Sequence, residues 1–207
     1  MRIACYGVRP NEIDFFEKLN IYHYDLSLYE ELLTHDNIVS AKDHDAVLLR
    51  GNCIADETNL AKMQEYGIRY VFTRTVGVNH IDLQAAADFG MTVARVPSYS
   101  PNAIAELSLT FAMMLLRNTA YTTIRTSFKD FRVDEQMFSR EIRNCTVGII
   151  GTGRIGLTEA VLFKGLGAKV IGYDIHQTEA AKKVLTFHSL EELLAKSDIV
   201  SIHVPHI

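Results

Sequence analysis

The sequence predicts an α/β protein built from parallel sheets, and three observations carry that prediction. Short apolar runs alternate with amphipathic stretches along most of the chain, the pattern of strand–helix–strand units with right-handed crossovers. A glycine-rich turn, G-x-G-x-x-G at Gly151, Gly153 and Gly156, stands between an apolar run and a helical stretch. Pro97 and Pro101 bracket a stiff extended connection, which divides the chain into a unit at 1–99 and a second at 100–207.

The chain has 207 residues, of which 48% are hydrophobic and 22% charged, enough for one large domain or two small ones with real cores. A net charge of −4 without any basic block gives no support for binding nucleic acid or an anionic membrane. No apolar segment reaches the length of a membrane span, and the opening stretch MRIACYGVR reads as a strand rather than a signal peptide. Cys5, Cys53 and Cys145 are far apart and lack metal or CxxC spacing, so they read as buried free thiols of a cytoplasmic protein. No metal site is expected.

In the first unit, Ile3–Tyr6, Ala46–Leu49, Tyr70–Phe72 and Thr92–Ala94 are short apolar runs that predict strands, with Ile21–Tyr24 as a further candidate. Glu12–Leu19, Thr58–Tyr66 and Leu83–Phe89 predict helices, the last stopped by Gly90. Ligands of such sheets sit beyond the carboxyl ends of the strands. Those ends deliver Gly7–Arg9, Arg50–Asn52, Thr73–Gly77 and Arg95–Tyr99.

The second unit opens with Ser100 as N-cap and Pro101 at the first helical position of a helix expected to run to Thr126. Ile104, Leu107, Phe111, Met114 and Leu115 share one face of it, for which core packing is the plain expectation and a dimer contact the alternative. Residues 127–145 are a polar connection. After the glycine-rich turn come a helix, an apolar run at Val170–Tyr173, a short helix near Thr178–Val184 and a helix Leu190–Lys196 with a Ser189/Glu192 capping box. Asp198–Val204 predicts a third strand.

The turn has a chemical reading. Val147–Ile150 is the strand before it, and Asp174 lies at the end of the next strand, 18 residues beyond Gly156. Gly151 permits the tight turn, Gly153 lets a pyrophosphate approach the backbone, and Gly156 lets helix and strand pack closely. Asp174 is placed to accept hydrogen bonds from adenosine ribose hydroxyls. Its charge repels a 2′-phosphate, and Ile175-His176-Gln177 supply no arginine to hold one, so the cofactor reads as NAD rather than NADP. The bland alternative is a glycine-rich turn with no ligand.

Thr73–Gly90 (TRTVGVNHIDLQAAADFG), Val96–Leu107 (VPSYSPNAIAEL), Gly151–Gly156 (GTGRIG) and Ser197–Pro205 (SDIVSIHVP) together resemble the NAD-dependent D-2-hydroxyacid dehydrogenases. Leu49–Cys53, Ala120–Thr126 and Arg143–Gly148 look closest to the (R)-2-hydroxyglutarate dehydrogenase branch, with D-lactate and D-2-hydroxyisocaproate dehydrogenases nearby. The resemblance implies a flavodoxin-like substrate domain, an incomplete Rossmann domain and a cleft between them. It implies hydride transfer between C2 of a 2-hydroxy or 2-oxo acid and the nicotinamide, in a homodimer.

By residue match, the N–H groups of Val76 and Gly77 would hold the substrate carboxylate and Tyr99 would line the substrate pocket. Arg154 and Ile155 would lie along the pyrophosphate, and Val204 and Pro205 beside the adenine. Arg50, leaving a strand at its ligand end, is the candidate partner for a second, distal carboxylate as in 2-oxoglutarate. A surface ion pair or a contact with the first carboxylate is the alternative for Arg50, and Arg74 is a weaker candidate for substrate contact. His80 reads as a loop or cap histidine.

The family's catalytic Arg, acid and His match no residue here, and His203 and His206 fall too early to supply the histidine. The expectation is a C-terminally truncated chain, inactive alone, whose Val147–Ile150 strand lacks its neighbour on one side. A non-catalytic NAD-binding regulatory module is the competing class.

Overall fold

A computed structural model describes residues 1–204. The chain separates into two compact units, Met1–Tyr99 and Ser100–Ile207. Both are parallel α/β layers.

The first unit contains β1 (Arg2–Tyr6), α1 (Ile13–Leu19), β2 (Asp25–Tyr29), β3 (Ala46–Leu49), α2 (Glu57–Glu65), β4 (Tyr70–Thr73), α3 (Leu83–Asp88) and β5 (Thr92–Arg95). Its sheet runs β2-β1-β3-β4-β5, every pair parallel, which is the flavodoxin-like order. The two sheet faces bury separate clusters. Ala4, Tyr6, Val47, Leu49 and Val71 pack with Leu60 and Met63 of α2 on one face, while Ile3, Cys5, Val8 and Ala46 meet Ile13 and Phe16 on the other. Asp56 and Asp82 cap α2 and α3 through the Asn59 and Ala85 N–H groups.

Ile21–Tyr24 is not a strand. Asn20 bonds both the N–H and the carbonyl of Tyr24, and His23 sits at φ 53°, so these residues form a turn. The strand that follows, β2, is an edge strand of half-buried alternating residues and carries no continuous apolar run.

The second unit contains α4 (Pro101–Leu116), α5 (Thr119–Ser127), β6 (Thr146–Ile150), α6 (Arg154–Gly165), β7 (Lys169–Tyr173), α7 (Glu179–Lys182), β8 (Thr186–Phe187), α8 (Leu190–Lys196) and β9 (Ile199–Ile202). The Ser100 cap and the Ser189/Glu192 capping box are both formed. The expected single helix from Pro101 to Thr126 is broken at Asn118, which adopts φ 47° and donates its side-chain amide to the Gln136 carbonyl. Asparagine tolerates that left-handed conformation, and the chain turns there into α5. Arg125 then pairs with Asp130 and Asp134, which ties down the polar connection that follows.

The apolar face of α4 is a correction. Ala105 is buried, and Leu109 and Ala112 pack against the core cluster built on Val147, Ile149 and Phe163. The larger side chains named above lie on another side of the helix, with Leu107 53%, Phe111 55% and Leu115 77% exposed. Ala105, Leu109 and Ala112 take the contact with the core, and the stripe of Leu107, Phe111 and Leu115 is left outside it.

The sheet runs β8-β7-β6-β9, all parallel. Two expectations change here. The short strand β8 precedes β9, so β9 is the fourth strand of this unit and not the third. It pairs along β6 from Val147↔Ile199 to Ile150↔Ile202, so β6 has neighbours on both sides. The order 3-2-1-4 is the first part of a Rossmann sheet.

Candidate functional site

In the second unit the site grows from the turn between β6 and α6. Gly151 has φ +89°, a conformation that side chains resist, and a Cβ there would meet the His203 carbonyl oxygen at 2.6 Å. Gly156 is held just as tightly by packing, since a Cβ there would stand 2.0 Å from the Gly151 carbonyl oxygen. Gly153 is the opposite case, with nothing within 4 Å of an added Cβ and an ordinary extended φ of −67°. Open space is what a diphosphate approaching the backbone requires.

Gly153 is also the N-cap of α6 and makes no side-chain cap bond, and the first turn holds no acidic residue. The N–H groups of Arg154, Ile155 and Gly156 meet no acceptor among the described residues. Three free donors at the positive end of a helix form an anion site.

Asp174 closes the edge of this site just beyond β7. Its Oδ2 accepts from the Thr152 N–H at 2.6 Å and the Thr152 hydroxyl at 3.1 Å, and its Oδ1 accepts from the His176 N–H at 2.8 Å. Burial opposes its charge, but the hydrogen bonds from His176 and Thr152 outweigh it and hold the carboxyl below its usual range. The acid is thus ionised and fixed in direction. Val204 is half exposed on the other side, its Cγ1 close to Gly151. Pro205 and His206 lie outside the described residues.

Thr152 and Glu159 are site neighbours that sequence reasoning passed over. Glu159 is fully buried on α6, and its Oε2 accepts from His203 Nε2 at 2.5 Å. Its position beside buried Gly156, Ala160 and Phe163 was readable from helical spacing as a charge on the inner face.

In the first unit the ends of β3 and β4 bring Arg50 and the Thr73–Gly77 turn to one edge. The N–H groups of Val76 and Gly77 have no acceptor among the described residues, and Gly77 has open space around it. The turn is braced from behind. Thr75 Oγ1 donates to the Gly77 carbonyl at 2.7 Å, Arg95 to the Val76 carbonyl at 2.7 Å, and the Thr73 hydroxyl contacts Thr75 Oγ1 at 2.8 Å. Consecutive outward N–H groups on a braced turn make an anion nest.

Arg50 is half-buried, and its guanidinium has no carboxylate partner among the described residues. Arg74 differs, because its guanidinium is committed to the Gly7 carbonyl at 2.8 Å, to Glu12 at 3.2 Å and to the face of Phe16. His80 bonds the Thr73 hydroxyl at 3.0 Å, and burial lowers its pKa, so it is a neutral brace for the turn. Tyr99 is 58% exposed at the end of the unit, with no hydrogen bond from its hydroxyl among the described residues. No group of three or more metal-ligating side chains occurs among the described residues, and no helix there is long and apolar enough to cross a membrane.

Residues 109–207 match the family model described as D-isomer specific 2-hydroxyacid dehydrogenase, NAD binding domain. An aromatic 2-oxoacid reductase of Clostridium sporogenes is 39% identical over 207 residues, covering 99% of this chain and 62% of that protein. A D-lactate dehydrogenase of Lactiplantibacillus pentosus is 40% identical over 210 residues, with 99% and 62% coverage. Among solved structures, D-lactate dehydrogenase from Aquifex aeolicus complexed with NAD and lactic acid superposes with a TM-score of 0.89 at 29% identity, over 99% of this chain and 61% of that one. The chain therefore spans somewhat under two thirds of the length of these relatives. The Gly151–Gly156 turn, the ionised Asp174 and the 3-2-1-4 sheet all fall within the second unit, whose residues 109–207 match the D-isomer specific 2-hydroxyacid dehydrogenase NAD-binding domain.

Proposed function

We propose that this chain contributes the NAD site and a substrate-anion site to an enzyme that interconverts a 2-oxo acid and an (R)-2-hydroxy acid. The observation that carries the reading is the open Gly153 backbone with Asp174 fastened at its edge by Thr152 and His176. The N–H groups of Arg154, Ile155 and Gly156 hold the diphosphate, and Asp174 holds the adenosine ribose. Val204, with Pro205, borders the adenine. NAD, when bound, supplies the hydride acceptor or donor.

The first unit, Met1–Tyr99, takes the substrate role. Val76 and Gly77 N–H groups bind the carboxylate that every 2-oxo acid carries, and Tyr99 borders the acid's side chain. No described residue is assigned the acid–base step, since His80 and His203 are both engaged by neighbours.

The test is a fluorescence titration of the purified protein with NADH and NADPH. Binding of NADH with NADPH at least about tenfold weaker is expected, because Asp174 opposes a 2′-phosphate. Equal affinity for the two, or no NADH binding, sinks the reading.

Arg50 favours a dicarboxylic substrate such as 2-oxoglutarate, because a half-buried guanidinium without a carboxylate partner offers a bidentate fork to a second carboxylate. The coarser competitor is a lactate-type or aromatic 2-oxo acid. NADH oxidation by the full-length enzyme with 2-oxoglutarate, pyruvate and an aromatic 2-oxo acid separates them. A preference for pyruvate that survives Arg50→Ala removes the dicarboxylate reading.

The exposed Leu107, Phe111 and Leu115 of α4 support a homodimer, which sedimentation at several concentrations tests. Three free buried cysteines fit a reducing, cytoplasmic setting.

A further inference from the structure

The Glu159–His203 pair has features that packing alone does not require. Glu159 interrupts an otherwise apolar inner face of α6, fully buried, with Oε1 accepting no hydrogen bond among the described residues. Burial opposes its charge, but the bond from His203, with the Ser201 and Ser108 hydroxyls next in line, keeps the carboxyl below its usual range. Ser201 Oγ lies 3.1 Å from His203 Nε2, and Ser108 Oγ of α4 lies 3.0 Å from Ser201 Oγ. The network therefore links α4, α6 and the end of β9.

His203 is gripped at both ends. Its N–H donates to the Ile150 carbonyl at 2.7 Å, and its own carbonyl lies against Gly151. Its imidazole reaches α6, five residues past Arg154. One residue thus fastens the strand end to the glycine-rich turn and to the helix whose N-terminus faces the anion site. Val204 follows it directly, beside the same turn.

We infer that Glu159 is a positioning residue for the dinucleotide, acting through His203 to set the Gly151–Gly153 turn and Val204 against the free N–H groups of α6. The inference rests on the NAD reading above. A carboxylate accepts only, so it holds the imidazole N–H in one direction. Removing one member of such a buried pair leaves the other unsatisfied, and the strained turn loses its lateral support.

The experiment compares Glu159→Gln, Glu159→Leu, His203→Gln and the double variant Glu159→Gln/His203→Gln in the whole protein, well below their melting temperatures. Dissociation constants for NADH and for ADP-ribose are measured beside thermal midpoints. Each single variant is expected to weaken both ligands by the same factor, about tenfold. The double variant should be no weaker than the worse single one, since the two residues act as one unit.

A role confined to stability lowers the midpoints and leaves both constants within about twofold of the parent, and that result overturns the inference. So do effects that multiply in the double variant. Glu159→Gln keeps the shape of the side chain and decides the matter should Glu159→Leu fail to fold. If the parent itself binds no NADH, the failure belongs to the NAD reading, and the inference falls with it.

Discussion

Gly153 and Gly156 stand three residues apart, and the structure assigns them opposite costs for the same added methyl group. At Gly156 a Cβ would lie 2.0 Å from the Gly151 carbonyl oxygen and 3.1 Å from Ile149 Cγ2. Gly151 cannot yield easily, because its φ of +89° belongs to a turn already pressed on His203. Overpacking of this kind costs about 1–3 kcal/mol, and alanine's better helix propensity returns at most about 1 kcal/mol. The net for Gly156→Ala is a loss of roughly 1–2 kcal/mol, or a thermal midpoint lower by several degrees at about 4–8 °C per kcal/mol for a domain of this size.

Gly153→Ala meets nothing within 4 Å and keeps an allowed backbone, so its midpoint should stay within about 2 °C of the parent. Its methyl group enters the space offered to the diphosphate, and NADH affinity should fall by about tenfold or more. Differential scanning fluorimetry and NADH titration on the two variants read both quantities. A folded Gly153→Ala protein that binds NADH as the parent does would refute the claim that this open backbone is the diphosphate seat.

Asp174→Asn should narrow the gap between NADH and NADPH, as read by the two dissociation constants, because the repelling charge is gone while the Thr152 and His176 bonds can partly persist. Glu12, lowered mainly by the Arg9 N–H bond and further by Arg74, has a folded pKa below its unfolded one. Its contribution is therefore complete above about pH 5 and fades as acid protonates the folded carboxyl. The stability difference between the parent and Glu12→Gln in urea should shrink toward zero as pH falls through that range; a constant difference would contradict it. Burial pushes the Cys5 thiol up to about 12, against a smaller pull from Arg74. Iodoacetamide at pH 8 should leave Cys5 unlabelled in the folded protein, with mass spectrometry after unfolding as the positive control.

Elements with a local signature were legible and those defined by partnership were not. The run Ala46–Leu49 is buried on both sides of its sheet and announces itself as uninterrupted apolar sequence. β2 alternates along a half-buried edge, and β8 is two residues long, so neither produces such a run. Without β8, β9 counts as third, and from that follows the expectation that β6 lacks its neighbour on one side. The α4 stripe shows a different limit. Its spacing identified one apolar face, Ile104 to Leu115, but spacing carries no information on which face meets the core, and it is Ala105, Leu109 and Ala112 that pack there.

The site divides along the same line. Within Thr146–Asp174 the glycine turn, the helix start and the acid were readable, because they occur within one strand–helix–strand unit and each residue type has a local reason to be there. Thr152's grip on Asp174 spans 22 residues, and Glu159's grip on His203 spans 44. His203 falls too early to match the family's catalytic histidine, and local sequence assigns Glu159 no role. Only their meeting behind Gly151 gives either one a physical task. A buried carboxylate needs a donor, so Glu159 on the inner face of α6 was a question the sequence could pose; its answer depended on β9 lying next to β6, the pairing that local sequence reading had missed.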